Sequence, residues 1–382
     1  MKTEMEAFFA EHVSTFTREL AEFDAQIDPQ TEARKDECLD QLTDAIHRSL
    51  RACRRIESLL GDDREQVKAA QERFREEISP WFDRSWMMHR AKTKPRGYPG
   101  DYKLLATMYD NVPKSLGIGG YVDLYLLNST LARAVRARLA AAQRFLAEEL
   151  SRRRGDVFVL NVACGPCREY LEGIELPDEC SLHVTCIDQD EEALDYVKTH
   201  VLAAGNGVPD IQCARYNALR MSSATANVKK FGRADVIYSI GLCDYIPDRH
   251  LVRMLRGWRD SLSEGGVLYV ALKDATLYDK NECQWLADWF FFQRTEEDCR
   301  ELYRQAGFEV DGLEMTRDAS GVIMNFVSRA KRPTLVRVDG AGEEAKEAAV
   351  AASLRRHKEP RPEPRTRRSV DAPKPQIQAR PR

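Results

Sequence analysis

The run Val157-Phe-Val-Leu-Asn-Val-Ala-Cys-Gly-Pro-Cys-Arg-Glu169 constrains this chain most. It reads as a buried strand that stops at a turn of small residues and restarts as a helix. Asp188 closes the next apolar run about twenty residues later. On a doubly wound sheet such a turn lets the backbone approach a nucleotide-like ligand, and the acid accepts the ribose hydroxyls. The common dinucleotide fingerprint has three glycines at fixed spacing, and only the middle one, Gly165, stands here. Ala163 and Cys167 keep the turn tight but suit a pyrophosphate less well. A phosphate-free nucleoside ligand fits better. A plain tight turn without ligand is the competing reading.

After Val157 the chain alternates strands and helices. Strands are expected at Val157–Ala163, Leu182–Asp188, Ile211–Tyr216, Asp235–Ile240, Val267–Leu272, Phe308–Met315 and Val322–Ser328. Helices are expected between most of them, as at Glu191–Leu202 and Arg249–Leu262. This pattern builds a mostly parallel sheet covered on both faces. The last two strands lack a long intervening helix, so they should form an antiparallel hairpin. Leu262-Ser-Glu-Gly-Gly266 reads as a helix end and a Gly-Gly turn.

Residues 1–128 read as a helical N-terminal cap. Leu39, Leu42, Ile46, Leu50, Cys53, Ile56 and Leu60 recur three and four apart, and Gly61 is a stop signal. Phe8, Phe9, Val13, Phe16 and Leu20 have the same character. A further helix is expected through Leu127, Leu131, Val135 and Leu139. Residues 129–330 then form the sheet domain. The segment 331–382, rich in Ala, Arg, Glu and Pro, is expected to be a disordered basic tail. It holds fourteen Lys/Arg against seven Asp/Glu. The whole chain of 382 residues carries only −3, so no nucleic-acid partner is expected. No apolar run is long enough for a transmembrane segment. Ten cysteines without framework spacing read as reduced thiols, which implies a cytoplasmic protein. No Cys/His set has zinc spacing.

Several residues carry competing readings. Cys164-Gly-Pro-Cys167 is also a dithiol redox signature, with Pro209 as its candidate cis-proline. Asp188 and Gln189 follow strand two, although Asp190 is a candidate helix cap. Asn217 and Ala218 follow strand three, where an amide can pair with an adenine edge. Ile240 and Gly241 end strand four beside the crevice, and Asp244 and Tyr245 would face whatever sits above the ligand.

The ordered set Asn161-Val-Ala-Cys-Gly-Pro-Cys-Arg-Glu169, Asp188, Asn217, Tyr238-Ser-Ile-Gly-Leu-Cys-Asp-Tyr245 and Gly265-Gly266 resembles class I S-adenosylmethionine-dependent methyltransferases. Three further stretches resemble the bacterial group for extracellular-factor, 3-hydroxypalmitic acid methyl ester biosynthesis. They are Arg96-Gly-Tyr-Pro-Gly-Asp-Tyr102, Gly241-Leu-Cys-Asp-Tyr-Ile-Pro-Asp248 and Trp285-Leu-Ala-Asp-Trp-Phe-Phe-Phe-Gln-Arg-Thr295. The chain departs from the general pattern at Asn161, usually acidic, and at Ala163 and Cys167, usually glycine.

The resemblance implies a Rossmann-like sheet, S-adenosylmethionine as cofactor, and a small-molecule acceptor. That acceptor would be the carboxylate of a 3-hydroxy-fatty acid or similar acid, made into a methyl ester. Methylation of a natural-product intermediate at N, C or O is the alternative. It implies donor binding by Ala163, Cys164, Gly165, Arg168, Asp188, Gln189, Asn217, Ala218, Ile240 and Gly241. Tyr98, Asp101 and Tyr102 would form a lid. Asp244 or Asp101 would be the base where one is needed, Tyr245 would flank the acceptor, and Arg294 would anchor its carboxylate or pair with Glu296 or Glu297. Trp285, Trp289 and Phe290–Phe292 would wall an apolar pocket or belong to the core.

Overall fold

The computed structural model describes residues 2–171, 177, 179–204 and 210–330. The tail from 331 onward and Pro209 lie outside them. The described residues belong to one compact unit. Eight α-helices come first: α1 (Lys2–Ala7), α2 (Ser14–Gln26), α3 (Glu37–Leu60), α4 (Arg64–Phe82), α5 (Trp86–Thr93), α6 (Tyr102–Asp110), α7 (Gly117–Asn128) and α8 (Thr130–Ser151).

Helix α3 shows how sequence sets these elements. The Asp36 carboxylate accepts from the Cys38 and Leu39 amides, satisfying two orphan donors at its start. Gly61, at φ +59°, follows its end. The predicted stripe from Leu39 to Leu60 is buried throughout. Helix α7 is buried on nearly all sides. A Cβ on Gly119 would meet the Arg84 carbonyl oxygen at 2.3 Å, so only glycine allows this approach. The expected single helix through Leu127 and Leu139 is two helices. Ser129 is extended and its hydroxyl caps α8 by accepting from the Ala132 amide.

The remaining strands and helices are β1 (Gly155–Val162), β2 (Cys180–Asp188), α9 (Glu191–Tyr196), β3 (Asp210–Arg215), α10 (Ala224–Phe231), β4 (Ala234–Ser239), α11 (Asp248–Arg259), β5 (Leu262–Lys273), α12 (Lys280–Ala287), α13 (Glu296–Gln305), β6 (Glu314–Arg317) and β7 (Ile323–Arg329). The sheet order is β3-β2-β1-β4-β5-β7-β6. Strands β1 to β5 pair in parallel, and β7 runs antiparallel to both β5 and β6. This is the doubly wound, Rossmann-like sheet with a terminal antiparallel strand. Side chains alternate across it. Val157 and Val159 enter the core under α8, while Leu160 and Val162 enter the core under α11 and α13.

Three local expectations change. The strand expected at Phe308–Met315 is only Glu314–Arg317. Phe308 packs against the Tyr303 ring, centroids 5.0 Å apart, and a 3-10 turn at Val310–Gly312 follows. Gly265 and Gly266 lie inside β5 at a bulge rather than in a turn after a helix. Within the described residues, the helix expected after the β1 turn is only a 3-10 turn, Arg168–Tyr170.

Helix α12 leaves the sheet and enters the core of the N-terminal helices. Trp285 is fully buried there, edge-on to Phe8 and Phe74, and its indole N–H donates to Glu57 at 2.9 Å. It is therefore core and no acceptor wall. The polypeptide thus reaches the sheet's carboxyl edge from two sides, through α5–α6 and through the segment after α12.

Candidate active site

A cleft of about 950 Å³, part of it open to solvent, lies at the carboxyl ends of the central strands. Sheets of this topology bind ligands there, where the strand order reverses between β1 and β4. Each strand end contributes: Ala163 and Gly165 after β1, Asp188 and Gln189 at β2, Tyr216 to Leu219 after β3, and Gly241, Leu242, Tyr245 and Ile246 after β4. Tyr98, Gly100, Tyr102 and Leu105 cover it from the N-terminal region.

The β1 turn explains the sequence departure. Ala163, Gly165 and Cys167 all have positive φ, at +56°, +53° and +48°. Glycine takes that conformation freely, so Ala163 and Cys167 hold strain on the order of 1 kcal/mol each. Backbone bonds fix it: the Cys164 amide donates to the Ile187 carbonyl at 3.0 Å, and Cys167 N–H to the Cys164 carbonyl at 3.0 Å. The Gly165 amide donates to Asp188 Oδ2 at 3.0 Å, and the Asp190 amide to Asp188 Oδ1 at 2.9 Å. Burial raises the Asp188 pKa above the ordinary value, and these amide bonds oppose the rise. Each carboxylate oxygen keeps a further lone pair, and the residue lines the cleft.

The covering segment is clamped to the sheet. Arg96 bridges Asp190 and Glu192, and the Tyr102 hydroxyl donates to Glu192 at 3.2 Å. Burial, with Glu192 beside it, pushes Tyr102 up to about 12. Tyr98 is raised too, first by burial and then by Asp188, Asp190 and Asp101. The Tyr245 hydroxyl accepts from the Trp289 indole at 2.8 Å, and burial also raises its pKa. All three phenols therefore stay protonated at neutral pH.

Six of the expected site residues do not line the cleft. Asp101 caps α6, accepting from the Lys103 and Leu104 amides, and pairs with Arg90 at 2.8 Å. Asp244 pairs with Lys273 Nζ at 2.5 Å and accepts the Lys273 amide at 3.0 Å, both residues being buried. Arg294 binds Asp248 and the Cys243 and Ile246 carbonyls, so it braces the loop after β4 and pairs with neither Glu296 nor Glu297. Arg168 pairs with Asp110 at 2.9 Å, reaching α6 instead of a ligand. Ile240 and Cys164 pack in the core beneath. Asp190 caps α9 while Arg96 holds it. Asn217 accepts the Leu219 amide at 2.9 Å, and it still lines the cleft.

Burial and proton affinity both disfavour the dithiol reading. A hydrogen bond to Cys186 lowers Cys164, but burial and the neighbouring Cys167 and Asp188 outweigh it and leave it at about 12. Cys167 is raised likewise, against its bond to Cys186. A redox nucleophile needs the opposite, an exposed thiol of low pKa. All ten cysteines are free thiols.

Tyr216, Leu219, Leu242 and Ile246 line the cleft without having been expected. The rule that selects Asn217 as the residue after a strand would have included Tyr216. Among the described residues no His/Cys/Asp/Glu group has metal-site geometry, and no helix is long and apolar enough to cross a membrane.

The lining residues suit an adenosyl sulfonium compound. Asp188 presents a carboxylate to the cleft, and Asn217, Ala218 and Leu219 present an amide and apolar surface. Among the described residues no Lys or Arg lines the cleft, and the β1 turn leads into a 3-10 turn, so a pyrophosphate would lack its usual partners. Fold and cleft together define a Rossmann-like enzyme for a phosphate-free nucleoside ligand. Residues 99–332 match the family described as "Putative methyltransferase", and the chain belongs to that family. It is a methyltransferase that depends on S-adenosylmethionine.

No curated protein matches the chain. Among solved structures it is similar to a possible exported protein from Bordetella parapertussis, at 17% identity, covering 86% of this chain and 97% of that one with TM-score 0.49. It is also similar to magnesium protoporphyrin IX methyltransferase (ChlM) from Synechocystis PCC 6803 with bound SAM, at 13% identity, 53% and 84% coverage, and TM-score 0.36. A third is N-methyltransferase NodS from Bradyrhizobium japonicum WM9, at 13% identity, 51% and 97% coverage, and TM-score 0.35.

Proposed function

We propose that the protein methylates the carboxylate of a small, largely apolar acid, of the 3-hydroxy-fatty-acid kind, to give a methyl ester in the cytoplasm. One observation carries the reading: among the described residues that line the cleft, Asp188 is the only carboxylate and there is no histidine. Asp101 and Asp244, the two candidate bases, are both neutralised inside the protein. A hydroxyl or amine acceptor would need one of them free. A carboxylate is already ionised and needs none.

The cofactor supplies an electrophilic methyl on a sulfonium. Transfer of that methyl to an ionised carboxylate would release a neutral thioether and would require no proton transfer by the protein. The chain's part is positioning and exclusion of water. In this reading Asp188 holds the ribose, while Gln189, Asn217 and Ala218 border the base. Ala163, Gly165 and Gly241 give close backbone approach. Tyr98 and Tyr245, kept protonated, are hydroxyl donors for the acceptor's carboxylate, and Tyr102 secures the cover through Glu192.

The test incubates purified protein with labelled S-adenosylmethionine and saturated 3-hydroxy acids of graded length, with mass spectrometry of the product. Labelled methyl esters are expected. Label on nitrogen, carbon or the 3-hydroxyl, here or in a cell extract, would replace this reading with the natural-product alternative.

A further inference from the structure

A second, apolar space lies behind the cleft, within the helical part of the chain. It measures about 370 Å³, part of it open to solvent, and lies among α5, α6, α7 and α12. Met87, Met88, Leu104, Met108, Leu126 and Leu286 line it. Ser129 and Glu282 also reach its wall, and both are engaged: the Ser129 hydroxyl caps α8, and Glu282 accepts from the Tyr125 hydroxyl at 2.5 Å. Protein interiors are close-packed, so unfilled space among Met and Leu side chains forfeits contacts.

One indole separates this space from the cleft. Trp289 lines the space and packs on both the core of the N-terminal helices and the sheet core under α8. Its N–H donates to the Tyr245 hydroxyl at 2.8 Å, and a Cβ on Gly100 would fall 2.5 Å from its Cζ2. Tyr245 and Gly100 both line the cleft. Helix α6 makes the same division, with Leu105 lining the cleft and Leu104 the apolar space. The segment after α12 fixes the indole there. Asp288 is left-handed at φ +52° and is held by Lys94 and, at 3.5 Å, by Arg75. The Trp289 amide donates to the Cys283 carbonyl at 3.1 Å.

We propose that the acceptor's hydrocarbon chain passes Trp289 into this space, and that the methionines lining it set the chain length the enzyme accepts. The inference rests on the carboxylate reading of the cleft and extends it to the other end of the same molecule. Tyr245, a hydroxyl donor for the carboxylate in that reading, is the residue bonded to Trp289, so a chain leaving the carboxylate starts beside the indole. Methionine is unbranched and has three rotatable bonds, so Met87, Met88 and Met108 can repack around an unbranched chain as it lengthens.

Calorimetric titration tests this on the protein saturated with S-adenosylhomocysteine, a complex that cannot turn over. The probes are unbranched 3-hydroxy acids of graded length. Affinity should rise roughly fourfold per added methylene, each contributing about 0.8 kcal/mol on burial, and stop rising where the space is full. Ala91 also lines the space, and Ala91→Leu should move that break to shorter acids. Met88→Ala should move it to longer acids. Opposite shifts from the two variants, with S-adenosylhomocysteine affinity unchanged, would support the chain site, because a merely structural role moves all lengths together. Should Ala91→Leu fail to fold, Met88→Ala decides by the same criterion. A series flat in length, or a break that neither variant moves, would place the chain elsewhere and overturn this inference alone. Absence of binding at every length would overturn the acceptor reading, and this inference with it.

Discussion

On the strand-end wall of the cleft, Asp188 braces the β1 turn and still presents lone pairs to the open space. On the covering wall, Asp101 is enclosed by Arg90 and backbone amides, and on the loop after β4 Asp244 is likewise enclosed, by Lys273 and its amide. The same side chain thus does opposite work in different parts of one site. The strand-end wall is rigid, since its residues leave adjacent parallel strands, and it can hold a polar ligand in a fixed pose. The covering wall comes from loops between helices, where carboxylates hold the chain's path and hydroxyls and rings face inward. A ligand with a diol suits the first wall, and an apolar acid that needs no base suits the second.

The largest effect that would break this contrast lies at Asp244. Asp244→Ala removes the partner of a Lys273 that is 5% exposed. Loss of one member of a buried pair should reduce unfolding free energy by about 3–5 kcal/mol in a urea titration. The folded fraction should bind S-adenosylhomocysteine within about threefold of wild type. A stable variant that loses the ligand would move Asp244 into the binding machinery and erase the difference between the presented and the enclosed carboxylates.

Asp188→Ala should do the reverse at a smaller scale. Donor affinity should weaken by roughly 1–3 kcal/mol, the loss expected from unpaired buried hydroxyls. Near-unchanged affinity by calorimetry would contradict the ribose assignment. The pH dependence sharpens it. The bound form needs Asp188 ionised, and burial places its pKa above the ordinary 3.8. Affinity should therefore be full at neutral pH and fall on acidification, beginning at a higher pH than for an unperturbed carboxylate. Asp188→Asn should flatten that limb, whereas Asp101→Asn should leave it in place.

The sequence made these two walls legible to different degrees. Strand ends were readable because period-two burial and a small-residue turn locate them, so Gly165, Asp188, Asn217 and Gly241 could be placed on one edge. The covering wall and the loop after β4 were not, because a carboxylate's freedom depends on partners distant in the chain. Nothing local to Asp244 announces Lys273, and nothing local to Arg294 announces the carbonyls of Cys243 and Ile246. Among the described residues, the helix expected after Cys167 is a 3-10 turn for a related reason. Small residues signalled a turn, while the left-handed conformation at Ala163 and Cys167 was invisible in their identities.

That turn supplies the smallest effect and the last test of the comparison. If the strand-end wall works through backbone path and Asp188, the two thiols in the turn are packing groups. Cys167 is buried, accepts from Asn161 Nδ2 at 3.3 Å and lies 3.5 Å from Cys186 Sγ. Serine is close in size but more polar. Replacing Cys164 and Cys167 together by Ser should lower stability by about 1–3 kcal/mol, from hydroxyls placed in an apolar site. S-adenosylhomocysteine affinity should remain within about threefold, and methyl transfer should be indifferent to reductant. Retained donor binding with turnover abolished would instead put thiol chemistry in the reaction. It would also make the β1 turn a reactive element rather than a cradle.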